Sequence, residues 1–201
     1  MRGSKSIRSG DRELVQIVDA ALVDSARRSG AWLVCHVGCT QCCIGVFAIS
    51  QLDAVRLQEG LAELERHDPE RAQRVRRRAR GAVRHLRAGF PGDASTGILT
   101  ERGKAFEDYA NDEPCPVLDP KTGRCDLYTA RPMTCRVFGP PVPSEGGLGI
   151  CDLCYHGASA EQIAACTLQA DTDDQEAELL ARVERATGKR GDTLVAFALG
   201  R

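Results

Sequence analysis

Apolar residues recur at helical spacing in several segments of this chain, and they predict a mostly α fold. In the first segment Leu14, Val18 and Leu22 lie four residues apart, and Gly30 follows as a helix stop. The pattern predicts helices over residues 11–29, 50–67, 70–88, 98–111, 159–170 and 173–186. Aromatic residues make up 4% of the chain. The core must therefore be built mainly from Leu, Val, Ile and Ala, which suits helices better than sheets.

Three of the predicted helices begin with a local signal. Ser50 is followed at the third position by Asp53, and Ser159 is followed by Gln162, which is the capping-box pattern. Pro69 suits the first position of the arginine-rich helix that follows it. These signals place the predicted helix starts independently of the apolar pattern.

Two cysteine-rich segments interrupt the helical pattern. The first covers residues 35–43, and the second, 114–143, is rich in proline and resists long regular structure. At 201 residues the chain fits one domain. We predict a small helical domain in which the two cysteine-rich loop segments form a metal site. Its parts are an N-terminal helical segment over 1–30, the cysteine-cluster domain over 31–170, and a C-terminal helix over 171–201 that packs on the same domain.

Charge and hydropathy argue against several classes of protein. The net charge is −1, which gives no global case for a nucleic-acid or membrane partner. The helix at 70–88 is rich in arginine, but Glu63, Glu65 and Glu70 lie close by, so the sequence indicates a solvated face. No apolar signal region follows the first ten residues, and no apolar run reaches the length of a membrane span. The predicted compartment is a reducing cytoplasm, where clustered thiols serve as ligands or redox centres.

Four of the ten cysteines lie within nine residues, in the run Cys35-His-Val-Gly-Cys39-Thr-Gln-Cys42-Cys43. Two residues between Cys39 and Cys42 allow a tight turn whose backbone N–H groups can stabilise thiolates. Cys35 precedes Cys39 with three residues between them. Adjacent side chains tend to diverge, so Cys42 and Cys43 need not bind the same ion. An iron–sulfur cluster or a two-metal site, being larger, could accept both.

Three further cysteines, Cys115, Cys125 and Cys135, form a second block. Turn-forming residues at 119–123 predict a hairpin that brings Cys115 and Cys125 together. Pro132 suits the first position of a short helix with Cys135 in its first turn, where the helix dipole favours a thiolate. The two blocks therefore predict one site assembled from distant parts of the chain.

Other residues near the two blocks leave alternatives open. Arg131 and Arg136 can offset the negative charge of clustered thiolates. Cys151 and Cys154 are either auxiliary ligands or ordinary loop cysteines, and no βαβ context supports a thioredoxin-like pair. Cys166 lies among alanines in a predicted helix and is expected to pack as a small apolar residue.

The two blocks resemble those of the YkgJ-like cysteine cluster proteins, a family whose CxxCxxCC domain is described as chelating zinc or iron. The first block has one residue more than the nominal spacing, with Gly38 before its second cysteine. The second block follows the family signature with Cys115-Pro116, Gly123-Arg124-Cys125, Tyr128, Arg131-Pro132, Cys135-Arg136 and Phe138. The resemblance covers about residues 35–140, and more loosely 150–166.

The resemblance implies a metal ion as partner, either zinc or iron, including an iron–sulfur cluster. The implied ligands are Cys35, Cys39, Cys42, Cys43, Cys115, Cys125 and Cys135. Zinc and iron–sulfur centres both accept four thiolates, so the ligands alone do not separate them. A related branch, the flagellin lysine N-methylases, implies an enzymatic alternative that acts on a protein substrate. A metal chaperone or redox sensor is the third alternative.

Overall fold

The structure, a computed structural model, describes residues 6–100, 103–144, 147–170 and 173–200. The chain forms two compact units. The first unit combines Met1–Val37 with Met133–Leu179, and the second unit combines Gly38–Pro132 with Leu180–Arg201. The predicted segment boundaries after residues 30 and 170 stay predictions.

Helices dominate the described part of the chain, which confirms the predicted mostly α character. The eight α-helices described are α1 Ile7–Ser29, α2 Gln51–His67, α3 Pro69–Leu86, α4 Lys104–Glu107, α5 Met133–Val137, α6 Ala160–Ala165, α7 Asp173–Thr187 and α8 Val195–Leu199. Single 3₁₀ turns occur at Gly30–Trp32, Gln41–Cys43 and Tyr128–Ala130. The cysteine-rich blocks lie in loops, turns and short elements between the longer helices.

The strands form three small antiparallel hairpins. They pair β1 Gly92–Asp93 with β2 Ile98–Leu99, β3 Leu118–Asp119 with β4 Arg124–Cys125, and β5 Val142–Ser144 with β6 Gly147–Gly149. In the β3–β4 hairpin Leu118 lies opposite Cys125 and Asp119 lies opposite Arg124. This is the hairpin predicted from the turn residues at 119–123.

The second unit has its core where α2, α3 and α8 pack together. Leu57 of α2 and Val75 and Ala79 of α3 are fully buried there. The ring of Phe197 in α8 packs on that of Phe90, with their centroids 4.6 Å apart. The partly buried Cys115 and Cys125 pack against the same core, so these two cysteines of the second block are anchored to the helices.

The first unit packs α1 against α5. Two serines of α1, Ser25 and Ser29, are completely buried. The Ser25 hydroxyl donates to the carbonyl oxygen of Cys166 at 2.6 Å, and the Ser29 hydroxyl shares a 2.6 Å hydrogen bond with the Tyr155 hydroxyl. These contacts attach the segment after Cys151 to α1.

The local start signals are confirmed. The Ser50 hydroxyl accepts the N–H of Asp53 at 3.1 Å, and the Ser159 hydroxyl accepts the N–H of Gln162, each within a complete capping box. Pro69 is the first residue of α3. Of the helices described, none is both long enough and apolar enough to cross a bilayer.

The helix predicted over 98–111 is wrong. Its first two residues form β2, where the N–H of Leu99 donates to Asp192 at 2.9 Å, and helix occurs only at Lys104–Glu107; residues 101–102 lie outside the described part. A tertiary backbone contact therefore replaces the local helical bond. The helix predicted over 159–170 also ends early, at Ala165, because the N–H of Leu168 donates to the Pro141 carbonyl.

Candidate metal centre

The first cysteine block places two thiols side by side in the second unit. Gln41–Cys43 forms a 3₁₀ turn, closed by the N–H of Cys43 on the Thr40 carbonyl at 2.8 Å. The Cys43 thiol lies close enough to that of Cys42 to be the main cause that raises its pKa. Adjacent side chains were expected to diverge, but the tight turn brings these two sulfur atoms together.

Backbone hydrogen bonds join the first block to the second. The N–H of Cys115 donates to the Cys43 carbonyl at 2.7 Å, and Ile44 forms an antiparallel bridge with Pro114. The β3–β4 hairpin then returns the chain so that the N–H of Asp126 donates to the Val117 carbonyl at 2.8 Å. The main chain therefore holds Cys42, Cys43, Cys115 and Cys125 in one neighbourhood of the second unit.

Backbone N–H groups near the cysteines of the second block favour their thiolate forms. The amides of Val117 and Leu118 act to lower the pKa of Cys115, and the amide of Leu127 acts to lower that of Cys125. The Leu118 N–H itself donates to the Cys115 carbonyl at 2.9 Å, which closes the turn after Cys115. Donors of this kind stabilise a thiolate and lower its pKa, which is the arrangement found around metal-bound cysteines.

Burial and crowding outweigh those donors in the metal-free protein. Burial raises the pKa of Cys115 to about 12, with Cys125 and Cys42 adding to the effect. Burial likewise raises the pKa of Cys125, with contributions from Asp126 and Cys42. The neighbouring Cys43 thiol, then burial, raises the pKa of Cys42 far above its ordinary value. Neutral thiols are therefore favoured until a cation offsets the charge of the thiolates.

The two arginines expected to offset thiolate charge have different roles. Arg131 lowers the pKa of both Cys42 and Cys125, and its guanidinium lies 4.0 Å from the centre of the Tyr128 ring. Arg136 instead binds Asp19 of α1 through one nitrogen, at 2.6 and 2.9 Å from the two carboxylate oxygens. The expectation therefore holds for Arg131, whereas Arg136 joins α5 to α1.

An ion-pair clamp behind the thiols was not found from the sequence. The buried carboxylate of Asp126, next to Cys125, accepts hydrogen bonds from Arg71 and Arg78 of α3. The Arg78 Nε also donates to the carbonyl of Pro116 at 2.8 Å. Arg78 thus binds both Pro116, the residue after Cys115, and Asp126, the residue after Cys125. We call Arg71, Arg78 and Asp126 the arginine clamp.

Cys39 lies in the same unit, beside the turn of the β3–β4 hairpin. Gly123 in that turn has a φ of +66°, and a Cβ built on it would lie 3.7 Å from the Gly38 carbonyl oxygen and 3.7 Å from Thr40 Cγ2. The hairpin turn therefore contacts the residues on either side of Cys39. Cys39 itself is partly buried.

The remaining cysteines belong to the first unit. Cys35 is exposed, and a Cβ on Gly139 would lie 3.4 Å from its sulfur. Cys135 is partly buried within α5, as predicted for the short helix after Pro132. The other three, Cys151, Cys154 and Cys166, are 4–6% exposed and pack with Tyr155 in an apolar cluster. The packing role expected for Cys166 agrees with this placement.

The thiols of the second unit fit zinc or iron by donor type and by location. Sulfur ligands with backbone N–H donors suit both metals. Among the described residues, however, no three Cys, His, Asp or Glu side chains are already grouped closely enough to hold an ion. Metal binding therefore requires the thiols to lose their protons and to rotate toward one point.

Comparison with known proteins agrees with the cysteine pattern. Residues 34–145 match the model of a family described as "CxxCxxCC: Putative zinc- or iron-chelating domain". That match includes both cysteine blocks and all three clamp residues. No curated protein and no solved structure is significantly similar to the chain.

Proposed function

We propose that this chain, which belongs to the CxxCxxCC family of zinc- or iron-chelating domains, holds zinc or an iron–sulfur cluster through cysteine thiolates. One observation carries the proposal: backbone hydrogen bonds between the two blocks, such as that from the Cys115 N–H to the Cys43 carbonyl at 2.7 Å, bring Cys42, Cys43, Cys115 and Cys125 into one neighbourhood. A cluster of neutral thiols offers little beyond packing, whereas the same four sulfurs as thiolates are a complete ligand set for one ion.

These four cysteines would hold the metal, with Cys39 beside them as a further ligand for a larger centre. Their surroundings already suit the bound state, because amides of the second block and the Arg131 cation stabilise negative sulfur. Bound zinc would fix the loops, and a bound iron–sulfur cluster would supply a redox centre. Cys35 and Cys135 are proposed as ligands on the family motif, and Cys151 and Cys154 as auxiliary ligands.

A role in holding the metal is favoured over an enzymatic one by the shape of the second unit. The cavity that borders Cys115 has a volume of only about 20 Å³, roughly the space of one water molecule. Another cavity of that unit, about 190 Å³, is lined by Gln51, Phe197 and other residues that include no cysteine. A protein side chain undergoing modification would need more room beside the thiols.

Anaerobic purification followed by metal and acid-labile sulfide analysis tests the proposal. We expect stoichiometric zinc without sulfide and without colour, or iron with sulfide and a brown visible spectrum. Replacing Cys42 and Cys43 separately with Ser should lower the metal content in both variants, because the two thiols lie together. The same replacement at Cys35 and Cys135 asks whether they too are ligands. A protein without stoichiometric metal under these conditions would overturn the proposal.

A further inference from the structure

Four arginines of α3 form one exposed stripe. Arg77, Arg80, Arg84 and Arg87 are all exposed, and Arg87 keeps helical backbone angles at the C-terminal cap. With 3.6 residues per turn they lie within about 80° of arc and about 15 Å along the helix axis. The opposite face of α3 is buried in the second unit through Ala72, Val75, Ala79, Ala82, Val83 and Leu86. We call the four exposed residues the arginine stripe.

Two of the three glutamates named above bind side chains outside the stripe. Glu63 binds Arg66 and His67, and Glu65 binds Arg76 at 2.7 Å. No hydrogen bond or ion pair joins a stripe arginine to another described residue. The prediction of a solvated face assumed that nearby glutamates balance the positive charge of the α3 arginines. Like charges three and four residues apart destabilise a helix by about 0.2–0.5 kcal/mol per pair. The spacing of the stripe arginines therefore does not stabilise the isolated protein.

We propose that the arginine stripe binds a nucleic-acid duplex through its phosphate backbone. About 15 Å of duplex axis carries about four phosphates on each strand, which matches four guanidinium groups over the same length. Arginine is also suited to phosphate because its planar fork donates two parallel hydrogen bonds. Contacts of this kind position a protein on the backbone without reading sequence.

Two other anionic partners fit the stripe less well. Single strands are bound by aromatic side chains on which bases stack, and α3 contains no Phe, Tyr or Trp. Membrane-surface helices insert an apolar face beside their basic one, and the apolar face of α3 is already buried in the core. A duplex needs neither feature, because its charge is presented along a regular outer surface.

Fluorescence anisotropy with labelled 24-base-pair DNA and RNA duplexes tests the proposal between 50 and 200 mM salt. Four phosphate contacts predict a slope of about −3.6 for log K against log salt concentration. Arg→Gln at all four stripe positions should abolish binding, and Arg84→Gln alone should reduce the slope by about 0.9. The matched control is the charge-equivalent variant K104Q/R185Q/K189Q/R190Q, whose changed side chains are all exposed, and it should bind with the wild-type slope.

Binding to the two duplex types identifies whether DNA, RNA or both serve as ligand. The proposal is overturned if the wild-type protein binds neither duplex at 50 mM salt, or if the control variant loses as much affinity as the stripe variant. Binding to phosphatidylserine vesicles in place of the duplexes would also overturn it. Circular dichroism melts accompany each variant, and the stripe variant should melt no lower than the wild type because like-charge repulsion is relieved. Metal content should not change, since the clamp arginines of α3 point at least about 100° around the helix from the stripe.

Discussion

Asp126→Asn removes the negative charge at the centre of the arginine clamp while keeping the shape of the side chain. The Asp126 side chain is 2% exposed, and Arg71 and Arg78 are 38% and 24% exposed. In the variant both arginines lose their carboxylate, and the two loops that follow Cys115 and Cys125 lose their shared anchor. We expect a less stable second unit and a weaker metal site.

The magnitude follows from burial. Removing one partner of a buried ion pair costs about 3–5 kcal/mol, but the partly exposed arginines can be rehydrated, so about 2–3 kcal/mol is expected here. For a chain of this size that corresponds to a fall in Tm of about 4–12 °C. Arg78→Gln should cost about 2 kcal/mol, because it removes charge-assisted bonds to Asp126 and to the Pro116 carbonyl.

Urea unfolding of the metal-free protein and metal competition with a chelating dye measure the two effects. Loss of a residue that orients ligands typically weakens metal binding about 10- to 100-fold. The double variant should be less destabilised than the sum of the singles, since the clamp residues contact one another. Arg185→Gln makes the same chemical change at an exposed site on α7 and should shift stability by less than about 0.5 kcal/mol. Wild-type stability and wild-type metal affinity in both clamp variants would refute the clamp.

Three further outcomes are expected. The folded pKa of Cys115, about 12, lies above the ordinary 9.0, so the unfolded chain loses this proton first. Cys115 alone should lower the stability of the metal-free protein by up to about 1.4 kcal/mol per pH unit above pH 9, and Cys42 and Cys125 add to the fall because their pKa values are also raised. A constant urea midpoint there would contradict this. Gly60→Ala should destabilise the protein by about 1–3 kcal/mol, because the new Cβ would lie 2.3 Å from the Cβ of Ala130. Gly81→Ala should stabilise it by about 0.5–1 kcal/mol, because the nearest atom to the new Cβ is 3.8 Å away. Equal melting points of the two variants would refute this contrast. Cys166→Ala should lower stability without changing metal content, and loss of metal would make Cys166 a ligand.

Local features of the fold could be predicted from the sequence because their causes are local. The capping boxes at Ser50 and Ser159 and the hairpin at 119–123 depend on residues a few positions apart, and all three are confirmed. The prediction of a helix over 98–111 was wrong because a hydrogen bond from the Leu99 N–H to the carbonyl of the distant Asp192 fixes the backbone there. Helix α8, only five residues long, is too short to show a helical period.

The candidate site likewise combines features that the sequence predicts with features that it does not. Its cysteines were evident from spacing alone, because four thiols in nine residues are an unusual composition. The arginine clamp was not evident from the sequence, because Arg78 and Asp126 are 48 residues apart and α3 contains many other arginines. The partner of Arg136 was equally unpredictable, because nothing in the sequence indicates that α5 packs against Asp19.

Cysteine alkylation mapped by mass spectrometry, with and without bound metal, tests the central claim most directly. Metal should protect Cys42, Cys43, Cys115 and Cys125 from alkylation together. Removing it by chelation should raise the alkylation rates of all four, most clearly at alkaline pH, because burial raises the pKa of Cys115 and Cys125. Buried Cys166, which is not among the proposed ligands, provides an internal reference in both states. Alkylation of those four cysteines at the same rate with and without stoichiometric metal would contradict the account.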